Sequence, residues 1–523
     1  MYFALGNRWI TCYFNRPMLN KIMDIAHPPP HKWLIFALVA IGVFMSTLDG
    51  SIVNVALPTI MADLDSEMAV IEWVMMIYLL TVSSLLLSFG RLSDIKGRRW
   101  VYSRGLMIFS AGSLFCGLAP TAALLIAARA FQGVGAAMIM ACTQALVADI
   151  FPPAERGRAM GMVGAVVASG LTLGPALGGW ILHLASWQFI FYINIPIGLI
   201  TGAVAGRILR GGPTDEIRPE PFDWTGAVLL VLTLAPALVA ISHAYDWGYG
   251  SPAVLVPAAV SLLSGVALAT VERRTDPPIL SPALLTVRLF TLPVAAAMIL
   301  FMGLFTLVFL MPFFLMHPAG RSVSHTGHLM VMPFICLFAV APASGHLSDH
   351  LGSRALCTLG MAILAAALYS LSRLTPGSSD IDIAWRMALA GVGTAVFISP
   401  NTAAIMSAVP RNRMGIAAAT TAAARNLGMV AGIALAGTLF NSLFQHLSGG
   451  EPFKTYSPNL EPIFMTAFRT AMLAGALTAG IGVAVSFLRG PESGRAAPGR
   501  KNVGGNGLSS TEIPDYNKQA NVN

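Results

Sequence analysis

Apolar runs of about 20 residues follow one another along nearly the whole chain, which is the length a helix needs to cross the hydrocarbon core of a bilayer. Inside that core every backbone N–H and C=O must be satisfied within the protein, so runs of this kind fold as membrane-spanning helices. At 523 residues the chain is long enough for about three soluble domains. Composition excludes them. Charged residues make up only 11% and hydrophobic residues 55%, and a water-facing surface cannot be built from so few charges when soluble domains carry roughly 25%.

The runs predict an all-α polytopic membrane protein with fourteen transmembrane helices. Six lie near 33–58, 71–91, 101–119, 122–147, 158–184 and 188–209, two more near 224–244 and 252–271, and a last six near 291–316, 325–346, 356–374, 383–406, 416–444 and 462–488. The expected organisation is an N-terminal segment (1–32), a six-helix bundle (33–209), two inserted helices with their loops (210–290), a second six-helix bundle (291–488) and a polar, Gly/Ser/Asn-rich disordered tail (489–523). The first residues lack a continuous apolar core and a small-residue cleavage site, so no cleaved signal is predicted; Met18 and Met23 are alternative starts.

The net charge of +8 does not point to nucleic acid, because the basic residues are clustered between the apolar runs. Lys96, Arg98, Arg99, Arg156, Arg158, Arg273, Arg274, Arg354, Arg411 and Arg413 all fall in loops after even-numbered spans. By the positive-inside rule those loops and both termini face the cytoplasm. The five cysteines are scattered and read as small buried residues. His317, His325 and His328 are too loosely spaced for a metal site, and no metal is expected. A phosphate-binding Gly-rich Lys-Ser/Thr loop is missing and no enzyme constellation is found, so any transport should be secondary.

The two halves repeat each other. Gly90 to Arg99 (GRLSDIKGRR) is echoed by Gly345 to Arg354 (GHLSDHLGSR) at an offset of about 255. Gly133 and Gly135 map onto Gly391 and Gly393, and Gly170 and Gly174 onto Gly428 and Gly432, at an offset of about 258. A nearly constant shift over three separated motifs implies two copies of one six-span plan around an inserted pair.

Four motifs carry chemistry. In Leu48-Asp49-Gly50-Ser51-Ile52-Val53-Asn54, Asp49 lies well inside an apolar run. An ionised carboxylate there costs roughly 2.5–3.5 kcal/mol, which suits a group that takes up and releases a proton; a carboxylate satisfied by neighbouring helices is the competing reading. The second motif is the loop with Gly90, Asp94, Gly97, Arg98 and Arg99, whose glycines allow a tight turn and whose cations can pair with Asp94 and a helix end. In the third, Arg129 and Gln132 share a helix face, and a guanidinium at that depth must meet a carboxylate, a carbonyl or a watery cavity. In the fourth, Gly170, Gly174 and Gly178, with Pro175 and Gly179, form a small-residue stripe that lets another helix approach closely. Arg425, just before the matching stripe in the second half, is a further interior cation. No carboxylate lies deep in a span of the second half, so coupling is expected to depend on Asp49 alone.

With these motifs the chain resembles the major facilitator superfamily over about residues 33–488, and within it the fourteen-span drug:proton antiporters of the EmrB/QacA type. The resemblance implies multidrug efflux by alternating access, with the proton as coupling ion and no cofactor, in a bacterial inner membrane. It implies proton-coupling roles for Asp49 and Arg129, a gating role for the Gly90–Arg99 loop and an antiporter signature in Gly170, Gly174, Pro175, Gly178 and Gly179. Ile95 departs from the pattern, since a basic residue usually follows the aspartate. The resembling branch includes stand-alone pumps and pumps that dock a periplasmic adaptor and an outer-membrane channel. Substrates are expected to be lipophilic and neutral, weakly acidic or at most monocationic, with their binding residues unknown. A dedicated metabolite exporter or proton symporter on the same fold, and a non-transporting sensor or scaffold, are the alternatives.

Overall fold

A computed structural model describes residues 32–152, 155–208, 224–248, 250–272, 286–409 and 414–490. Most of the N-terminal segment and all of the tail beyond Gly490 lie outside them. Among the described residues the structure consists of helices and two short 3-10 turns, without strands. The helices are α1 (Lys32–Asp63), α2 (Met68–Lys96), α3 (Arg98–Gly117), α4 (Ala122–Ile150), α5 (Arg156–Leu184), α6 (Phe189–Tyr192), α7 (Asn194–Ile208), α8 (Trp224–Trp247), α9 (Pro252–Glu272), α10 (Arg288–Met316), α11 (Val323–Met330), α12 (Met332–Leu351), α13 (Ser353–Leu371), α14 (Asp380–Ser407), α15 (Met414–Ser448) and α16 (Glu461–Leu488).

Twelve stretches of the described residues are helical, long and apolar enough to cross a membrane, two of them joining the short helices α6 and α11 to α7 and α12. The expected spans three and seven are helical too, as α3 and α8, but fall outside that set. α3 carries Arg98, Arg99 and Arg104, and the apolar core found in α8 is only Val228–Ala237.

The sequence repeat reappears in the packing. In the first half the packed pairs include α1·α5, α2·α4, α3·α4, α3·α7, α1·α4 and α1·α7. Position for position, the second half has α10·α15, α12·α14, α13·α14, α13·α16, α10·α14 and α10·α16. Across the halves the pairing is reciprocal: α2 packs on α15, and α5 packs on α11. α8 and α9 pack on each other, and α8 also lies against the α2–α15 seam.

Local chemistry fixes the helix ends. Gly97 and Gly352, equivalent in the repeat, both take left-handed backbone (φ 88° and 84°) and join two helices with a single residue; glycine adopts that conformation without steric cost. Gly90, expected to belong to this loop, is instead inside α2. Thr121, Ser322 and Ser379 cap α4, α11 and α14 by accepting from the backbone N–H of Leu124, His325 and Asp382. Asp380 and Asp382, just before the apolar run near 383–406, form the first turn of α14, where negative charge is favoured by the helix dipole.

Candidate functional site

The sequence places Asp49 and Arg129 eighty residues apart, and the structure brings them together. Asp49 on α1 and Arg129 on α4 form a buried ion pair through Oδ2 and Nη1, with 0% and 1% of their side chains exposed. The other Asp49 oxygen accepts from Gln132 Nε2 at 2.9 Å and Asn194 Nδ2 at 3.0 Å. Arg129 also donates from Nε to the Val74 carbonyl at 3.0 Å and from Nη1 to Gln132 Oε1 at 2.6 Å. Its guanidinium stands 4.1 Å from the centre of the Tyr78 ring, within cation–π range. Tyr78 in turn donates its hydroxyl to the Ser46 carbonyl, one turn before Asp49. Four helices, α1, α2, α4 and α7, therefore converge on one charged pair.

Each member is held there for a local reason. Arg129 and Gln132 are three apart and share a face of α4, so they meet Asp49 together. Gly112 makes that approach possible: a Cβ there would fall 2.6 Å from Gln132 Cα. Gln132 is further held by donating to Ser113 Oγ at 2.8 Å. Asn194 is the first residue of α7, just after the break at Ile193 that separates it from α6. The sequence reading missed Asn194, because an asparagine among the aromatics of Trp187–Pro196 reads as part of a membrane-interface belt.

The remaining sequence-predicted residues lie elsewhere. The small-residue stripe of α5 faces α1: Gly170 abuts Thr47, Gly174 abuts Ser51 and Gly178 abuts Ile52. Ser51 Oγ donates to the Gly170 carbonyl at 3.0 Å. A Cβ on Gly179 would instead fall 3.0 Å from the Gly327 Cα of α11, and the Pro175 carbonyl faces the same glycine. In the second half Gly428 and Gly432 likewise abut the Met298 and Met302 carbonyls of α10. At the even-loop end, Arg98 pairs with Asp149 and donates to the Ala145 carbonyl at 3.0 Å, both near the end of α4, while Arg99 reaches the Gly206 carbonyl. The side chain of Asp94 lies outside the described residues.

A second buried carboxylate went unrecognised in the sequence. Glu72 on α2 is 1% exposed and fills the space left by the missing side chain of Gly437 on α15. It stands too close to the predicted start of its span to read as an interior charge. Glu72 belongs to the first half, so the expectation that the second half has no carboxylate deep in a span is unaffected by it.

The contacts between the halves gather at the odd-loop end. They include Glu72 against Gly437, Gly179 against Gly327, and an ion pair between Lys454 and Asp65 at 3.4 Å. A depression of about 610 Å³ opens at this end near Asp63, Trp187 and Tyr192. It is lined by none of the residues of the Asp49 network. Of the histidines considered for a metal, His325 pairs with Asp380, and His317 packs against Phe453 and Tyr456.

Against known proteins, a family model described as Major Facilitator Superfamily matches residues 39–433 and, in a second match, 293–511. The chain is 35% identical to the uncharacterized transporter YebQ of Escherichia coli (strain K12), over 81% of this chain and 92% of that protein. It is 33% identical to the riboflavin transporter RibZ of Clostridioides difficile (strain 630), over 82% and 91%. It is 30% identical to the multidrug transporter protein MdtP of Bacillus subtilis (strain 168), over 79% and 76%. Among solved structures, a bacterial homolog of the human lysosomal transporter Spinster, inward-facing and unoccupied, superposes with a TM-score of 0.63 at 16% identity, covering 88% of this chain and 98% of that one. That likeness concerns the fold alone.

Proposed function

The chain belongs to the major facilitator superfamily, and from that premise we propose that it is a proton-driven secondary exporter of small lipophilic or toxic compounds. The observation that carries the proposal is the buried Asp49–Arg129 pair, tied to Gln132 and Asn194. A desolvated pair of this kind contributes little to stability compared with apolar residues of the same volume, and intramembrane ion pairs mark proton and substrate pathways. Protonation of Asp49 cancels its half of the pair. Arg129 then keeps the Val74 carbonyl, Gln132 and the Tyr78 and Phe191 rings, so one proton loosens the tie between α1, α4 and α7. Proton uptake from outside and release inside would in this way bias the rocking of two six-helix bundles (33–209 and 291–488) about a central cavity.

In this reading all fourteen expected helices cross the membrane, with α3 and α8 completing the set, both termini cytoplasmic and the protein in the bacterial inner membrane. The arginines of α3 then lie toward the cytoplasmic end, where such side chains reach the interface. The contacts at the odd-loop end fit an outward gate that is shut. Export of drugs draws support from the 30% identity to MdtP. The 33% identity to a protein named as a riboflavin transporter favours a second reading, a carrier dedicated to one metabolite. The proton is the only coupling agent proposed; an adaptor and outer-membrane channel would be further partners.

Dye efflux in everted vesicles under an imposed pH gradient tests the proposal, with wild type beside Asp49→Asn. Gradient-dependent transport in the wild type and its loss in a well-expressed variant are expected. Equal transport in both would remove Asp49 from the coupling step, and transport of riboflavin without any dye would move the weight to the dedicated carrier.

A further inference from the structure

Arg129 and Arg425 both lie within apolar helices, and their surroundings differ sharply. Arg129 is satisfied by a carboxylate, a carbonyl, a glutamine and two aromatic rings. Arg425 on α15 has no acceptor among the described residues: its Nε is sealed from solvent without a hydrogen-bond partner, and no ion pair reaches its guanidinium. Its one neighbouring group of note is the Phe301 ring of α10, 5.9 Å from the guanidinium carbon. A charged side chain inside a membrane helix costs roughly 2.5–3.5 kcal/mol on the lenient scale, and such residues face the bundle interior or a watery cavity. No protein carboxylate is at hand in this half. Its acidic residues between 291 and 488 are Asp349, Asp380, Asp382, Glu451 and Glu461, all at helix ends or in loops.

Helix geometry fixes where Arg425 points. At roughly 100° per residue, Gly428 and Gly432 lie about 60° and 20° to one side of it, and Gly437 about 120° to the other. The first two abut α10 and the third abuts Glu72 of α2. The side chain therefore projects between α10 and α2, toward the space where the two halves of the chain face each other, while remaining partly exposed. A ring on the face of a guanidinium leaves its in-plane N–H donors open, and that edge is matched to a carboxylate.

We propose that Arg425 binds the negatively charged group of the exported molecule, so that the preferred substrates are monoanionic amphiphiles, a carboxylate on an aromatic or apolar body. The assignment rests on the exporter reading above and narrows its substrate class. Phe301 contributes the apolar contact beside the anion.

The test is equilibrium binding of a panel of aromatic monocarboxylates and their methyl esters to purified protein in neutral-lipid nanodiscs. It needs no proton gradient, so a failure of proton coupling in vesicles and a failure here are separate results. Wild type is expected to bind at least one acid about tenfold more tightly than its ester. Arg425→Gln should erase that preference while leaving ester binding in place, and Arg425→Lys should retain part of it. Ester binding and thermal unfolding of each variant establish that it is folded. The proposal is overturned if no acid outcompetes its ester in the wild type, or if the preference survives in Arg425→Gln. Adding anionic phospholipid separates the two sources of such an anion: displacement of the acid by lipid would assign Arg425 to a headgroup and overturn its role in substrate choice, whereas unchanged binding supports it.

Discussion

Asp49 and Arg129 were legible from sequence because each interrupts an apolar run, and a charge at that depth has few physical excuses. Their contact was not legible, since it depends on how α1 and α4 cross. The pairing makes a quantitative prediction. Removing one partner of a buried pair strands the other, at a cost of about 3–5 kcal/mol, whereas removing both does not. Arg129→Gln should therefore lower thermal stability strongly, and adding Asp49→Asn should restore part of it, as measured by unfolding of the single and double variants in the same detergent. Additive losses would mean that the two charges are not each other's main partner. A second residue-scale prediction concerns His317, which follows the last turn of α10 and packs among Phe313, Phe453 and Tyr456. Burial pushes its imidazole below the usual histidine range. The unfolded chain then binds that proton more readily, so stability rises with pH. The penalty sets in as pH falls through the unfolded value of about 6.5 and grows until the lowered folded value is reached. His317→Phe keeps the ring cluster and should flatten the fall in melting temperature between about pH 7.5 and 5.5; an unchanged slope would locate the acid sensitivity elsewhere.

Helix by helix, the apolar runs predicted every long element, and the differences lie at ends and breaks. α15 reaches from Met414 to Ser448, beyond the apolar run near 416–444, because its flanking residues keep helical hydrogen bonds past the apolar core. The glycine motifs show what a pattern can and cannot say. Gly90 and Gly97 look alike in sequence, yet Gly90 sits in a helix with nothing among the described residues near its missing side chain, while Gly97 needs φ of 88°. Gly90→Ala should fold at least as well as wild type, since alanine is favoured in a helix by about 1 kcal/mol. Gly97→Ala should be strained. Gly432→Val should reduce folded yield severely, because any side chain there meets the Met302 carbonyl of α10, a backbone atom that cannot rotate aside. Fluorescence-detected size exclusion of the three variants ranks them directly, and a normal yield for Gly432→Val would show that α10 and α15 do not approach as closely as described.

At the scale of the whole molecule, the offset between motifs revealed the duplication, and the matching pairs of packed helices follow from it. Which end of the two halves comes together is another matter. Gly327 and Gly437 read in sequence as ordinary small residues of membrane helices, and only packing shows that one receives α5 and the other Glu72 of α2. Loop composition gave no hint that Lys454, in the turn before α16, would pair with Asp65, between α1 and α2. Both side chains are accessible, and an exposed pair of this kind contributes under about 1 kcal/mol, so the contact does not by itself hold the two segments together. In the exporter proposed above, alternating access requires that end to part in every cycle. Replacing both residues, Asp65→Cys with Lys454→Cys, and joining the thiols with a short bismaleimide should therefore stop transport, while each single variant treated with the same reagent keeps it. Because the pair adds so little energy, the double variant without reagent should transport like wild type. Full transport by the cross-linked protein would mean that these two segments stay together throughout the cycle, and that the halves part elsewhere.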